Sequence, residues 1–317
     1  MANELEMENN KIGSAIQYFR ESYQISQGKL CMGLCSVATL SRIEAGERDV
    51  DSLLLETLLE RLGRMPNQFE LILTDLDYDL YQKREEIKKQ AEAKNYSLAK
   101  ALLQEYEQIA AAKGNVHVQF IQTQKALLNE LNGGTIETTI DLLMQAITCT
   151  VPEFKTSEIK DYYLSNSELN IIVDILKRMA AAEMNKSAKQ VLKQVLDYLE
   201  LHFSMEENSS LYSKVALIAS RLYMKENNLK KALEICNRGF EKSKGSRKMD
   251  YLGELAYIKS QATEGLSKVE VDWEEKKSIC LKLYLQAYYV LNFCEKKDMA
   301  HEILIHLREE YHWEDID

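Results

Sequence analysis

The chain has 317 residues, enough for about two domains. Only 12 glycines and 2 prolines are present, about 4% of the chain where roughly 12% is usual, so β-sandwiches and β-barrels, which use these residues at frequent turns, are excluded. With 45% hydrophobic residues the chain can form a large core, and an all-α fold is expected. The net charge of −10 argues against a protein that coats nucleic acid or an anionic membrane along its whole length.

The first ten residues carry three glutamates where a secretory signal would need positive charge and then an apolar stretch. No run of about 18 uncharged apolar residues follows anywhere, so no membrane contact is expected and a cytoplasmic location is predicted. The six cysteines include no C-x-x-C pair, a pattern typical of free, buried thiols in a reducing compartment.

Residues 11–64 hold short helical segments separated by Ser, Gly and Asp. Ser26 is placed to cap a short helix that Gly33 interrupts, and Ser36 is placed to cap a second helix that ends at Gly46. Two short helices joined by a tight turn form a helix-turn-helix.

The second short helix would bury Leu40 and Ile43, which are three residues apart. The side chains left facing outward, where a recognition helix meets base edges in the major groove, are Val37, Ala38, Ser41 and Arg42. The segment is therefore a candidate DNA reader.

This segment resembles the phage-repressor-type (Xre-like) helix-turn-helix. The matching residues are Ser26-Gln27-x-x-Leu30-Cys31 and Ser41-Arg42-Ile43-Glu44-x-Gly46. The turn between the helices is one residue shorter than in the commonest form. In this shorter turn the segment is similar to the Rgg/PlcR/PrgX peptide-pheromone-responsive family of Gram-positive bacteria. That resemblance implies a TPR-like domain after the DNA-binding domain, with double-stranded operator DNA and a short signalling peptide as partners.

Carried over by position, the resemblance assigns DNA contacts to six residues. Gln27 would contact phosphate at the start of the first short helix. Arg42 could bond guanine O6 and N7, and Val37 or Ala38 could pack on a thymine methyl group. Ser36 and Thr39 are expected to contact phosphate or water. The resemblance also implies that Arg20 and Glu44 form an ion pair inside the domain, so Arg20 is not assigned to DNA.

The charge of residues 11–64 bears on how DNA would be bound. Seven Lys or Arg and seven Asp or Glu give this span no net charge, although phosphate neutralisation normally supplies much of the affinity. One copy is therefore expected to bind poorly, and a homodimer on a two-part operator would restore affinity.

The first domain boundary is predicted next to Pro66, because Gly63 follows the last apolar residue of a helix and proline comes shortly after. This divides the chain into a DNA-binding domain, 1–65, and a repeat domain, 66–317. In the second domain a small-x-x-apolar-apolar motif recurs after polar turns, beginning at Ala99, Thr139, Ala188, Ala232 and Ala300.

A helix, a polar turn and a second helix that begins with a small residue form the unit of helical solenoids. The pattern resembles the tetratricopeptide repeat (TPR), with irregular intervals, the longest of which suggests an unmarked helix pair near residues 251–265. An irregular helical bundle with chance repetition is the alternative. The predicted fold is thus all-α, a helix-turn-helix followed by a TPR-like helical-hairpin solenoid.

The concave face of such a solenoid is lined by the first helix of each pair. Asn and Gln there could satisfy the backbone of an extended peptide, since each side-chain amide both donates and accepts, and Tyr could supply pocket walls. The candidate peptide contacts are Gln119, Gln122, Asn129, Asn166, Asn170, Tyr212 and Tyr284. For any one of them, a solvated or core position is the competing interpretation.

Catalysis finds no support in the sequence, and neither a cofactor nor a metal is expected. His301 and His306 are five residues apart, whereas a metalloprotease helix needs H-E-x-x-H. Two alternatives to a peptide-gated DNA-binding regulator stay open. One is a TPR-like protein-interaction scaffold, and the other is a regulator that responds to a protein or small-molecule ligand.

Overall fold

The computed structural model describes residues 2–48, 50–64, 74–202, 209–245, 249–270 and 273–313. Within these ranges the structure contains α-helices and short 3-10 turns and no β-strand, which confirms the predicted all-α class. The N-terminal helices are α1 (Ala2–Ser22), α2 (Gln27–Cys31), α3 (Val37–Glu44) and α4 (Ser52–Arg61).

The longer helices that follow form hairpins. They are α5 (Asp75–Glu92), α6 (Tyr96–Ala110), α7 (Asn115–Leu131), α8 (Ile136–Thr148), α9 (Asn166–Ala181), α10 (Asn185–His202), α11 (Ser209–Lys225), α12 (Leu229–Gly245), α13 (Leu252–Glu270), α14 (Trp273–Phe293) and α15 (Lys297–Tyr311).

The helix-turn-helix has the predicted caps. Ser26 Oγ accepts from the Lys29 N–H and precedes α2, and Ser36 Oγ accepts from the Thr39 N–H and precedes α3. Helix α1 packs directly on α3, because a Cβ atom on Gly13 would lie 2.1 Å from the Ile43 carbonyl oxygen. The buried apolar residues under this domain are Ile12, Ile16, Ile25, Leu30, Cys31, Leu34, Leu40, Ile43, Leu55, Leu58, Leu59, Leu62 and Val116.

The hairpin turns share one backbone conformation. One residue in each turn is left-handed, namely Lys94, Gly133, Glu183, Asn227 and Glu295. The N–H of the next residue reaches back five positions, as in the 2.9 Å bond from Asn95 N to Gln90 O, and equivalent bonds begin at Gly134, Met184, Asn228 and Lys296. This is the Schellman C-cap, and its recurrence gives the repeats a common turn.

The small residues that open the second helices are buried, as the motif predicts: Ala99, Thr139, Ala188, Ala232 and Ala300. A small side chain at these positions lets two helices approach closely. The last interval differs from the prediction of an unmarked pair. It holds α13 and α14, one helix more than the other intervals.

By contact density the chain divides into two compact units, residues 1–194 and 195–317. The first contains α1 to α9 and the first part of α10, and the second contains the rest of α10 and α11 to α15. The predicted boundary at Pro66 lies outside the described residues, which resume at Thr74. The division into 1–65 and 66–317 therefore stays a prediction.

None of the described helices is long and apolar enough to cross a membrane. All six cysteines are free thiols, and Cys31, Cys236 and Cys280 are buried. The cysteines of this chain thus serve as small core or near-core residues.

Candidate DNA-reading helix and interior cavity

Helix α3 presents one buried and one exposed face. Leu40 and Ile43 are buried at 0% and 3% exposure, which fixes the helix on its domain. The opposite face is exposed and carries Val37, Ala38, Ser41 and Arg42. Among the described residues, no hydrogen bond or ion pair occupies the Arg42 guanidinium. The helix therefore offers five free N–H donors beside two small apolar side chains.

Two other predicted DNA contacts lie at the start of α3 and bond to each other. The hydroxyls of Ser36 and Thr39 are 2.9 Å apart. Thr39 Oγ1 also accepts from Arg48 Nη1 at 3.3 Å, which holds an exposed cation beside the first turn of α3. Ser36 and Thr39 thus shape the helix start, and Arg48 places a positive charge there although it was not among the predicted DNA contacts.

The remaining predicted contact, Gln27, is half-buried at the start of α2. Its Nε2 donates to Glu44 Oε2 at 2.7 Å. Arg20 meets the same carboxylate, with Nε at 2.7 Å from Oε1 and Nη2 at 2.9 Å from Oε2, and this bond raises the pKa of Arg20. The expected Arg20–Glu44 ion pair is confirmed, and it fixes α1, α2 and α3 relative to one another.

Arg61 attaches the helix-turn-helix to the first repeats. Its Nη1 donates to the carbonyls of Leu30 and Met32, at 3.0 and 2.8 Å, at the C-terminal end of α2. Its Nη2 donates to the Thr150 carbonyl at 2.9 Å and to Glu168 Oε1 at 2.5 Å. Both side chains of the ion pair are at most 1% exposed.

The Arg61–Glu168 pair is fully hydrogen-bonded, as a buried pair must be. Glu168 also accepts from Thr150 Oγ1 at 2.6 Å and from the Ser165 N–H at 2.7 Å, which completes a capping box at the start of α9. Burial alone would raise the pKa of Glu168, but Arg61 and these donors hold it below its ordinary value. One cluster therefore joins α2, α4 and α9.

A second carboxylate of α4 meets the same end of α9. Glu60 accepts from the backbone N–H of Asn166 at 2.9 Å and from its Nδ2 at 3.0 Å. Burial, together with the nearby carboxylate of Glu56, raises the pKa of Glu60 to about 8. Asn166, predicted to contact a peptide, is thus used to hold α9 against α4.

A cavity of about 690 Å³ lies within the first compact unit. Its walls come from α4, from the first helices of three hairpins, α5, α7 and α9, and from Lys94 and Tyr96 at the turn into α6. Aromatic and aliphatic side chains contribute, including Tyr81, Tyr96, Phe120 and Leu127. The cavity therefore occupies the face that solenoids use for ligands, and helix α4, which follows the helix-turn-helix, closes one side.

Glu56 and Arg84 are the charged side chains of the cavity wall that are not exposed and that lack ion-pair partners in the described part of the chain; Glu92 and Lys94 also lack them, but both are exposed. Arg84 is 6% exposed, and its guanidinium makes one long hydrogen bond, 3.5 Å from Nη1 to Tyr106 Oη. Glu56 forms no hydrogen bond with any described residue. Burial raises the pKa of Glu56, an effect that the positive charges of Arg84 and Lys88 reduce.

The structure brings two of the predicted peptide contacts, Gln119 and Asn170, to the cavity wall. Gln119 is buried and its Nε2 donates to Thr150 Oγ1. Asn170 is exposed, and its Nδ2 donates to Asn166 O at 2.9 Å.

The other predicted peptide contacts lie elsewhere. Gln122 is half-buried on α7, and Asn129 packs against Gly134 in the next turn, with its Nδ2 buried and unbonded. In the second unit Tyr212 is 7% exposed with Lys242 over its ring, and Tyr284 is 2% exposed and donates to Glu264 at 2.5 Å. Neither tyrosine side chain presents a free surface to a ligand.

Sequence reasoning missed Arg84, Glu56, Arg61 and Glu168. A signal for Arg84 exists, because it lies on the same helical stripe as Leu80 and Ile87, both buried. A charged residue on an apolar stripe indicates a buried charge that needs a partner. His306, whose spacing from His301 does not fit a metalloprotease helix, is hydrogen-bonded within the protein: its Nε2 lies 2.9 Å from Glu264 Oε2.

Comparisons with known proteins agree on the fold. No protein-family model matches the chain, and no curated protein matches it in sequence. Bacillus thuringiensis PlcR, solved in complex with the peptide PapR7 and DNA, is 18% identical over 93% of this chain and 99% of its own, with a TM-score of 0.57. Its apo form is 17% identical over 93% and 98%, with a TM-score of 0.58. The SHP pheromone receptor Rgg2 of Streptococcus dysgalactiae is 14% identical over 94% and 99%, with a TM-score of 0.48.

The match to PlcR extends over nearly the whole of both chains, from the helix-turn-helix through the repeats. It bears out the resemblance to the Rgg/PlcR/PrgX type that residues 26–46 indicated. This chain therefore has the fold of PlcR, a helix-turn-helix followed by TPR-like helical hairpins.

Proposed function

We propose that this protein is a DNA-binding transcription regulator, a homodimer whose repeat domain senses a short signalling peptide. The observation that carries the proposal is α3, a capped helix fixed by buried Leu40 and Ile43 whose outer face holds an unengaged Arg42. A guanidinium free of internal partners can bond two acceptors of guanine in the major groove. PlcR, which shares the fold, was solved with DNA and a peptide.

The DNA contacts are divided by chemistry. Arg42, Val37 and Ala38 read base edges, whereas Ser36, Thr39 and Gln27 lie where phosphate would pass the ends of α3 and α2. Arg48, held by Thr39, strengthens the phosphate contact. A homodimer is part of the proposal because residues 11–64 have no net charge and a single reader would gain little from the backbone.

The peptide is assigned to the cavity formed by α4, α5, α7 and α9. A volume of about 690 Å³ with mixed aromatic, amide and charged walls suits a few residues of an extended peptide. Of the predicted contacts, Gln119 and Asn170 line this cavity, and Gln122 lies on one of the same helices. Asn129, Asn166, Tyr212 and Tyr284 are engaged or enclosed within the protein, so they are not assigned to the ligand.

The test is selection of duplexes from a random double-stranded DNA library by the full-length protein, followed by affinity measurements at fixed salt. We expect a two-part consensus site and stronger binding to it than to scrambled DNA. Arg42→Ala should lose preference at one base pair of each half-site.

The matched control is Lys83→Gln, which removes an exposed cation of α5 paired with Glu105 and distant in sequence from α3. It should leave both affinity and preference unchanged. If no consensus emerges, or if Arg42→Ala keeps the wild-type preference, the proposal of sequence-specific DNA binding is wrong.

A further inference from the structure

We propose that a carboxylate of the signalling peptide binds Arg84 in the cavity, while an N–H group of the same peptide donates to Glu56, so that the ligand bridges the repeats and the DNA-reading domain. This inference rests on the proposed function and deepens it by naming the ligand chemistry. The carboxylate is either the free C-terminus of the peptide or an acidic side chain.

The first step of the argument is the state of Arg84. A guanidinium has five N–H donors, and a buried one is normally satisfied by carboxylate or carbonyl oxygens. Arg84 is 94% buried, yet the described residues give it one hydrogen bond of 3.5 Å and the Tyr81 ring at 6.0 Å. By comparison, the buried Arg61 donates to four different oxygen-bearing groups. Arg84 therefore has donors left for an anion.

The second step is that no carboxylate among the described residues of the cavity wall forms an ion pair with Arg84. Glu85 is paired with Lys88 at 2.8 Å, and Glu130 is paired with Arg178 at 2.5 Å. Glu56 is near enough for its charge to interact with Arg84, but no ion pair within 4.0 Å joins them. A gap between two opposite, unbonded charges is the arrangement that a ligand with both an acceptor and a donor can fill.

The third step is the chemistry of that ligand. A carboxylate matches the planar fork of an arginine with two parallel hydrogen bonds. A peptide carries an N–H close to its terminal carboxylate and to every acidic side chain, which suits the Glu56 oxygens. Phe120 and Tyr96 on the same walls offer apolar contact to neighbouring residues of the peptide.

Glu56 lies on the helix that contacts the helix-turn-helix, so a ligand bound to Glu56 can affect the position of α3. Glu56 belongs to α4, and five residues later the same helix carries Arg61, which holds the Leu30 and Met32 carbonyls at the end of α2, where the turn to α3 begins. A ligand bound to both Glu56 and Arg84 therefore contacts the element that positions the recognition helix.

The test uses full-length protein and three synthetic heptapeptide mixtures. One has free C-termini and no Asp or Glu, the second has amidated C-termini with Asp and Glu, and the third has amidated C-termini without acidic residues. Retention is measured by equilibrium dialysis and mass spectrometry. We expect the third mixture to be retained at least about tenfold less than one of the others, which also identifies the source of the carboxylate.

The variants are Arg84→Gln and Glu56→Leu, each expected to lower retention of the favoured mixture by about tenfold. Lys83→Gln, adjacent to Arg84 in sequence but paired with Glu105 outside the cavity, should retain it as the wild type does. Thermal unfolding checks each variant. Arg84→Lys gives a second measurement, because it keeps the charge but loses the bidentate fork.

Two outcomes separate this proposal from the proposed function. If all three mixtures are retained equally, or if folded Arg84→Gln retains the favoured mixture unchanged, the carboxylate site is wrong while peptide sensing stands. If the wild type retains no mixture, the carboxylate site and peptide sensing are both wrong.

Discussion

The recognition helix α3 and the cavity beside α4 are both proposed binding surfaces, but they are built in opposite ways. Arg42 lies exposed on a single eight-residue helix whose caps and buried residues are all local. Arg84 is buried in a cavity whose walls come from helices more than a hundred residues apart. A surface that reads DNA can thus be formed by one short segment, whereas the cavity exists only after the repeats and α4 have packed.

The Arg61 cluster joins these two surfaces, and breaking it is the change with the largest expected effect. Arg61→Met leaves Glu168 buried without its charge partner, which should lower the free energy of unfolding by about 3–5 kcal/mol. Urea denaturation measures the change. The double variant Arg61→Met/Glu168→Gln should recover part of the loss because it removes the unpaired charge.

Arg20→Met is the comparison inside the helix-turn-helix alone, because its partner Glu44 ends α3. Arg20 is 11% exposed in its ion pair with Glu44, so its loss should cost less than that of Arg61. If Arg61→Met destabilised the protein no more than Arg20→Met, the attachment of α4 to α9 would not have the importance assigned to it.

The turn before α3 lies against the residues that follow α8, and Gly33 tests how much this contact contributes to stability. Gly33 has φ of +73°, and a Cβ atom there would lie 2.0 Å from the Thr150 carbonyl oxygen. Gly33→Ala should therefore lower the free energy of unfolding by about 2 kcal/mol or more, through backbone strain and the clash with the repeats.

Gly133→Ala is the matched control for Gly33→Ala. Gly133 also has positive φ, of +91°, but no atom lies within 4 Å of an added Cβ, so only the backbone strain remains. Thermal unfolding of the two variants measures the difference. Equal destabilisation would mean that a Cβ atom at Gly33 does not clash with the Thr150 carbonyl oxygen.

Substitution at Arg42 tests the exposed surface without disturbing the interior. Arg42→Ala should reduce discrimination at one base pair by about 1–3 kcal/mol and leave thermal stability close to the wild type, because the side chain has no partner in the described structure. Arg48→Ala, which removes the exposed cation held by Thr39, should weaken binding to all sequences alike. A general loss of affinity in Arg42→Ala, with preference intact, would contradict base reading.

Glu60 gives an effect of a different kind, a dependence of stability on pH. Its pKa is raised to about 8 in the folded protein from a usual 4.5, so the folded state keeps a proton that the unfolded chain releases. Stability should therefore fall as pH rises from about 5 to 8, by up to about 1.4 kcal/mol for each pH unit. Glu60→Gln should flatten this part of the profile in urea denaturation at several pH values. An unchanged slope would mean that Glu60 is ionised in the fold.

The sequence predicted the parts of this molecule that depend on local chemistry. Ser26 and Ser36 cap helices within three residues of themselves, and the small residues that open the second helices signal close packing at each hairpin. These features give the fold class and the exposed face of α3.

The remaining parts depend on contacts between distant residues. Arg61 meets Glu168 from 107 positions away, and no local pattern marks that pair. Gln119 lies at the cavity wall, and no local pattern indicates that the fold also bonds its amide to Thr150. Tyr284 was predicted as a pocket wall, yet it lies in the core beside Glu264. Residue type and helical spacing predict which side chains share one face of a helix. Only the packing of neighbouring helices decides whether that face is accessible to a ligand.

The most direct test of the central claim, that Arg42 of α3 reads guanine in the major groove, is a substitution scan of the selected duplex. Each guanine is replaced in turn by 7-deazaguanine, which lacks the N7 acceptor, and affinity is measured for the wild type and for Arg42→Ala. The account predicts one guanine in each half-site where the replacement lowers wild-type affinity by about tenfold and leaves Arg42→Ala unchanged. Equal losses in both proteins at every guanine, or no loss anywhere in the wild type, would contradict it.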